Sequence, residues 1–110
     1  MPVREVSARE LAQALQGPEA ERPVLVDVRR PEEVRVASIP GSLHVPLHEL
    51  PARVEELREV AGRPLVVLCH LGARSYHAAA FLESVGIPAV SLRGGIEAWA
   101  VDVDPRTPRY

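Results

Sequence analysis

The chain has 110 residues, of which 46% are hydrophobic and 25% charged, and its formal net charge is −2. This length suffices for one domain with a single core, and the balanced charge gives no reason to expect nucleic acid or an anionic membrane as a partner. Residues 1–5 contain no apolar signal segment, no later apolar run approaches a membrane span, and the single cysteine cannot form an internal disulfide. We therefore expect a cytoplasmic protein.

The first quarter of the chain predicts a strand, a helix and a second strand. Residues 3–6 are compatible with a short first strand. Ser7 and Glu10 then have the spacing of a capping box, which predicts a helix from there to about Leu15. Residues 23–28 form an apolar run of strand length, which is typical of a strand buried on both faces.

The middle of the chain predicts two helices around a brief strand. Pro31 stands where proline is favoured, in the first turn of a short helix. Residues 43–45 are expected to form the strand. Apolar residues then repeat at helical spacing, opposite a charged face, at Leu50, Val54, Leu57 and Val60 or Ala61. Gly62 is expected to follow the end of this helix.

The last part of the chain predicts two further strands and two helices. Residues 64–69 and 87–92 are the apolar runs, and the helix between them is expected to be closed by Gly86. A short final helix contains Trp99, which we interpret as a core residue. Residues 101–110 are expected to form a Pro-rich C-terminal tail.

This alternation of strands and helices predicts one α/β domain over residues 1–110. We expect a central parallel sheet of about five strands with helices on both faces. Ligands of such sheets bind outside the carboxyl ends of the strands. The strand that ends at Cys69 is expected to be central, so the cysteine lies where the fold predicts a site.

The segment from Cys69 to Ser75, here called the cysteine loop, joins a buried strand to the N-terminus of a helix. Such a loop presents backbone N–H groups and the positive end of the helix dipole to an anion, and both favour the thiolate. Gly72 would let the loop curl inward. The sequence thus predicts a nucleophile in an anion-binding loop. The alternative is that Cys69 is a buried, inert core thiol.

Three stretches in register resemble the signatures of single-domain rhodaneses, a sulfurtransferase family. They are residues 27–33 continued by 39–42, the cysteine loop, and residues 92–99. Within the loop the cysteine is first, the glycine fourth and the arginine sixth. The first signature departs from the usual family pattern at three positions that we expect to be structural, Val34, Ser38 and Ser42.

The resemblance implies a rhodanese-like three-layer fold and transfer of sulfane sulfur in a ping-pong cycle. Cys69 would take a sulfur atom from a donor such as thiosulfate and hold it as a persulfide. The chain has no second cysteine to resolve the persulfide, so the acceptor must be external: cyanide, a thiol or a sulfur-carrier protein. No metal or cofactor is implied, and the substrate would be bound by His70, Leu71, Gly72, Ala73, Arg74 and Ser75.

The end of the chain bears on the acceptor. Residues 102–110 are similar to the end of rhodanese domains fused to ubiquitin-activating-like adenylyltransferases, which pass sulfur to small carrier proteins. No adenylyltransferase domain is present in these 110 residues.

Individual roles within the cysteine loop stay open. Arg74 either offers a positive charge to an anionic donor or pairs with a carboxylate and braces the loop. Ser75 is expected to cap the following helix, with a hydrogen bond to the terminal sulfur as an additional role. His70 either helps to hold the thiolate or is a variable loop residue, and we favour the second interpretation.

Outside the loop, Asp27 is expected to accept hydrogen bonds from loop N–H groups and Arg29 to pair with Glu32 or Glu33. The alternative brings Asp27 and Arg29 to the site itself. The other histidines do not have metal-ligand spacing with the cysteine, so no metal site is expected at His44, His48 or His77.

Two other functions are compatible with parts of this pattern. Phosphatases and arsenate reductases on the same fold have five residues between cysteine and arginine, whereas four separate Cys69 from Arg74. The shorter loop suits one sulfur atom better than a whole tetrahedral oxyanion. The second rival is a binding or regulatory module that carries a persulfide only within a partner complex.

Overall fold

The structure is a computed structural model that describes residues 3–60 and 62–110. Within these ranges, strands and helices alternate along the chain. The strands are β1 (Glu5–Val6), β2 (Val24–Asp27), β3 (Leu43–His44), β4 (Leu65–Leu68) and β5 (Ala89–Leu92). The α-helices are α1 (Ala8–Leu15), α2 (Pro31–Val36), α3 (Val54–Val60), α4 (Ala73–Ser84) and α5 (Gly95–Asp102). Two 3₁₀ helices cover Glu19–Glu21 and Leu47–Arg53.

The strands form one five-stranded sheet in the order β1-β5-β4-β2-β3. Every neighbouring pair is parallel, so all the carboxyl ends lie at one edge of the sheet. Strand β4 is central, as predicted. Its residues are all buried, and alternate side chains enter different core clusters: Leu65 and Val67 enter one, Val66 and Leu68 the other.

The two core clusters lie on opposite faces of the sheet, and in each of them helices pack against the strands. This arrangement confirms the predicted α/β fold. One cluster includes residues of the second 3₁₀ helix, α3 and α4, and the other includes residues of α1 and α5. Trp99 is buried in the second cluster, as predicted. No helix within the described ranges has the length and apolar character needed to span a membrane.

Local sequence signals set several helix ends as expected. The capping box of α1 is present, because Glu10 N donates to Ser7 Oγ at 3.1 Å and Ser7 N donates to Glu10 Oε1 at 2.8 Å. Pro31 is the first residue of α2. Gly86 follows α4 with a φ of +84°.

The helix predicted from Leu50 onward differs from the prediction. Its first part is the 3₁₀ helix, which contains Pro51, a residue that lacks the N–H of a regular α-helix. The α-helix begins only at Val54. Val60, expected on the apolar face, is 41% exposed, and Ala61 lies outside the described residues.

The two last helices also extend beyond their predicted bounds. Helix α4 begins at Ala73, inside the cysteine loop, because the loop itself supplies the first helical turn. Helix α5 continues to Asp102, which shortens the C-terminal tail to residues 103–110.

Candidate active site

Cys69 lies directly after β4, at the carboxyl edge of the sheet. Its side chain is only 1% exposed. The sulfur nevertheless has polar neighbours, since Gly72 N and Ser75 N donate to Sγ at 3.1 and 3.4 Å. Cys69 is therefore as buried as an inert core thiol would be, but its surroundings are not purely apolar. Of the loop N–H groups expected at the sulfur, those of Gly72 and Ser75 are within hydrogen-bond distance.

The cysteine loop curls inward at Gly72, as expected. This residue has a φ of +113° and is the N-cap of α4. A Cβ atom here would lie 3.2 Å from Gly94 N. The first turn of α4 thereby directs the N–H group of Ser75 at the sulfur, so the positive end of the helix dipole faces Cys69.

Helix α5 holds the first two residues of the loop through backbone contacts. Ile96 N donates to Cys69 O at 2.9 Å, and Glu97 N donates to His70 O at 3.1 Å. Gly95 has a φ of +61°, and a Cβ on it would lie 2.3 Å from His70 O and 2.5 Å from Cys69 O. A side chain at this position is excluded, which explains one glycine of the third signature.

Ser75 does not cap α4, contrary to the prediction, because Gly72 occupies the N-cap and Ser75 is within the first turn. Its hydroxyl lies 3.4 Å from Cys69 Sγ and 2.7 Å from Ser91 Oγ, and it donates to Gly72 O at 3.2 Å. Both serines are fully buried. Sequence reasoning missed Ser91, although a lone hydroxyl in a buried apolar strand must have a partner and was an available signal.

Arg74 braces the loop, which is one of the two roles considered for it. Its guanidinium forms a bidentate pair with Glu33 at 2.6 and 2.8 Å. The hydrogen bonds from Arg74 hold the pKa of Glu33 well below its usual range, and Glu33 in turn raises the pKa of Arg74. Arg74 is still one-third exposed and lines a surface cavity of about 510 Å³ with Arg30, Pro46, Leu47 and His48.

The predicted pairing of Arg29 with Glu32 or Glu33 is wrong. Arg29 pairs with Asp27, with Nη2 2.7 Å from Oδ2 and Nε 2.9 Å from Oδ1. Of the loop N–H groups expected at Asp27, that of Arg29, in the segment between β2 and α2, is within hydrogen-bond distance at 3.1 Å. Residues two apart at a strand end point the same way, and these fully buried charges need a close partner.

Tyr110 of the C-terminal tail reaches the same region, a placement that sequence reasoning did not predict. Its ring stacks on His70 with centroids 3.9 Å apart and planes 11° apart. Its hydroxyl accepts from Arg29 Nη1 and donates to Glu33 Oε2, both at 2.8 Å. The role of His70 in the structure is therefore to pack against the tail. Nothing in the local pattern near Tyr110 signals these contacts.

Within residues 3–60 and 62–110 there is no group of three or more His, Cys, Asp or Glu side chains that could hold a metal ion.

Comparison with known proteins identifies relatives over most of the chain. Residues 7–102 match the model of the rhodanese-like domain family. A sulfurtransferase of Allochromatium vinosum is 41% identical over 99 residues, which are 89% of each protein. The adenylyltransferase and sulfurtransferase UBA4 of Yarrowia lipolytica is 37% identical over 79% of this chain, but the match covers only 22% of that longer protein.

Solved structures agree with these matches. Reduced CoADR-RHD of Bacillus anthracis superposes with a TM-score of 0.83 and 30% identity, over 96% of this chain and 18% of that one. A thiosulfate sulfurtransferase of Pseudomonas aeruginosa gives a TM-score of 0.78 and 32% identity, over 90% of this chain and 19% of that one. Sequence, fold and relatives agree, and the chain belongs to the rhodanese-like sulfurtransferase family.

Proposed function

We propose that this protein transfers sulfane sulfur through a persulfide on Cys69, taking the sulfur from an anionic donor such as thiosulfate. The observation that carries the proposal is the pair of backbone N–H groups, from Gly72 and Ser75, within hydrogen-bond distance of the buried sulfur. Preorganised amides of this kind stabilise an anion in a site that water hardly enters.

The proposed reaction has two displacement steps. The Cys69 thiolate attacks the outer sulfur of thiosulfate, a new S–S bond forms, and sulfite leaves with the electron pair of the bond that breaks. An external nucleophile then attacks the outer sulfur of the persulfide, and the Cys69 thiolate is released. A reducing compartment such as the cytoplasm would keep this thiol free between cycles.

The arginines near the loop are paired with carboxylates, so the surroundings of the sulfur are close to neutral and not strongly cationic. Arg74 is neutralised by Glu33, and Arg29 is neutralised by Asp27. Stabilisation of an anionic sulfur therefore falls to the backbone N–H groups of Gly72 and Ser75. The substrate-binding set proposed for this role is the loop itself, His70, Leu71, Gly72, Ala73, Arg74 and Ser75.

The loop length favours sulfur over phosphate. Four residues separate Cys69 from Arg74, and Arg74 is turned to Glu33 instead of being free to clamp an oxyanion. A phosphatase needs room for a tetrahedral anion and an arginine directed at it, so this arrangement fits a single sulfur atom better.

Intact mass spectrometry of the purified protein after exposure to thiosulfate tests the proposal. We expect a gain of one sulfur atom, which cyanide then removes. The control is Cys69→Ser, a nearly isosteric change that should leave the fold intact and abolish the gain. No added sulfur in the wild type, or an equal gain in Cys69→Ser, would contradict the proposal.

Turnover separates an independent enzyme from a carrier. Sustained formation of thiocyanate from thiosulfate and cyanide by the isolated protein supports an independent sulfurtransferase with small-molecule substrates. A stable persulfide that turns over only when a protein acceptor is added supports a carrier that works in a complex. Relatives named adenylyltransferase and sulfurtransferase make a sulfur-carrier protein the acceptor to try in that second case.

A further inference from the structure

One hydroxyl group joins two ion pairs beside the cysteine loop. Arg29 is held by Asp27 in a fully buried pair. Arg74, on the loop, is held by Glu33 on α2. The Tyr110 hydroxyl accepts from Arg29 and donates to Glu33, so the two pairs are connected through it. The tail thus supplies the polar atom between the strand end and the loop.

The aromatic ring of Tyr110 contacts the opposite end of the loop. It stacks on His70, the residue directly after Cys69, with a centroid separation of 3.9 Å. Through Glu33 the same residue reaches Arg74, five positions after Cys69. Tyr110 is therefore in contact with the start of the loop and linked to its far end.

We infer that Tyr110 is a positioning residue for the cysteine loop: its hydroxyl and its ring together hold both ends of the loop in the shape that directs amides at the sulfur. The effect of Tyr110 on sulfur transfer rests on the function proposed above. Its effect on the geometry around Cys69 does not depend on that function. Tyr110 touches no reacting atom in the structure and acts through His70 and Glu33.

Two further observations favour positioning over a general contribution to stability. Tyr110 is 41% exposed and is not part of either core cluster. Its hydroxyl also remains protonated at neutral pH, because burial raises the pKa of Tyr110, and so it keeps its donor role. The neighbouring Arg109 pairs with Glu97 on α5, which fixes the tail where Tyr110 can reach the loop.

The rate at which iodoacetamide alkylates Cys69, followed by intact mass, reports loop geometry without any sulfur donor. In Tyr110→Phe the ring stays and both hydroxyl contacts are lost, so the loop should open more often and the buried sulfur should react about threefold faster. In Tyr110→Ala the stacking is lost as well, and the increase should be larger. The unfolding temperature of each variant is measured as well, and the alkylation rates are compared well below it, so that faster labelling reports local opening of the loop and not global unfolding.

Sulfur uptake from thiosulfate should change in the opposite direction. A loop that opens more often holds its amides less well at the reacting sulfur, so persulfide formation by Tyr110→Phe should slow about tenfold. The loss should appear in the maximal rate more than in the concentration of thiosulfate needed for half of it.

Tyr76→Phe is the matched control, since it makes the same chemical change at the other tyrosine. The Tyr76 hydroxyl contacts Val3 N at 3.4 Å and neither ion pair. An alkylation rate for Tyr110→Phe equal to or below that of Tyr76→Phe would overturn the inference, whatever the sulfur uptake. Faster alkylation in a protein whose wild type takes up no sulfur would support the inference and contradict the proposed function.

A double-mutant cycle tests the route through Glu33. If the hydroxyl acts by fixing Glu33 and Arg74, Tyr110→Phe should have much less effect on alkylation in a Glu33→Gln background than in the wild type. Full additivity would remove Glu33 from the route and would overturn the inference in its stated form.

Discussion

The two sides of the cysteine loop are held by different kinds of interaction. On the inner side, the contacts are backbone N–H groups and the neutral hydroxyls of Ser75 and Ser91. On the outer side, charged side chains and a tyrosine from the tail surround Glu33. The N–H and hydroxyl groups that contact the sulfur on the inner side carry no charge, whereas the outer side consists of ion pairs that salt and pH can weaken. Function that depends on the sulfur should be more sensitive to glycine and serine changes than to charge changes.

The largest effect is expected from Gly95→Ala, which disrupts the close backbone contact between α5 and the start of the cysteine loop. A Cβ would overlap the carbonyl groups of Cys69 and His70, and the φ of +61° is also unfavourable for alanine. We expect a loss of about 2–5 kcal/mol in the free energy of unfolding and little sulfur uptake. Urea denaturation and mass spectrometry measure the two effects.

Two other glycines separate the causes of the Gly95 effect. Gly41 has a φ of +86° but nothing within 4 Å of where a Cβ would lie, and Gly17 has no positive φ and its nearest neighbour to a Cβ is Ala14 O at 3.4 Å. Gly41→Ala should cost about 1 kcal/mol, and Gly17→Ala should be neutral or slightly stabilising. A Gly95→Ala cost no greater than that of Gly41→Ala would contradict the overlap with the loop.

The next effect in size is expected from Ser91→Ala on the inner side. The change removes the hydroxyl 2.7 Å from Ser75 Oγ in a fully buried position, so we expect a cost of about 1–2 kcal/mol and slower persulfide formation. Ser84→Ala is the matched control, because that exposed serine bonds only its own helix. Equal rates of persulfide formation in the two variants would mean that Ser91 does not orient Ser75.

On the outer side, Glu33→Gln should make stability depend less on pH. The folded-state pKa of Glu33 lies below its ordinary value of 4.5, so its ionised form stabilises the fold above that pH. This contribution is lost as pH falls from 4.5 toward the folded-state value. The free energy of unfolding of the wild type should exceed that of Glu33→Gln by about 1–2 kcal/mol at neutral pH, and this gap should narrow in acid.

Denaturation of both proteins over a pH series measures this gap. If the two proteins differ by the same free energy of unfolding at pH 7 and at pH 3, the charge of the Glu33 carboxylate does not stabilise the fold. In that case the outer side would resemble the inner side, and the contrast between them would disappear.

The smallest effect is expected from Arg109→Gln, which breaks the exposed pair with Glu97. Surface pairs contribute little, so the unfolding temperature should hardly change in moderate salt. Cys69 alkylation should rise less than in Tyr110→Phe, because Tyr110 keeps its own contacts. An alkylation rate as high as that of Tyr110→Phe would show that the attachment of the tail by Arg109, and not Tyr110 itself, holds the loop in place.

The sequence predicted features whose signals are local. Strand β4 is apolar throughout because both faces are buried, and the Ser7–Glu10 capping box lies within one helical turn. The position of Cys69 after a central strand followed from the same patterns. Gly72, fourth in its loop, was expected to let the backbone curl, and its φ of +113° shows that it does.

The outer side of the site could not be predicted in the same way. Arg74 and Glu33 are 41 residues apart, and Tyr110 and Glu33 are 77 apart. Spacing along the chain carries no information on such pairs, because only the packing of α2, α4 and the tail brings them together. The partner of Arg29 was predicted wrongly, because Glu32 and Glu33 are almost as near to it in sequence as Asp27 and only the side-chain direction at the strand end decides the pairing.

The course of the C-terminal tail has a practical consequence for anyone who expresses the protein. Because the ring of Tyr110 stacks on His70, the residue next to Cys69, a label or affinity tag attached beside Tyr110 would disturb the surroundings of the Cys69 sulfur. Such groups are better attached away from the tail.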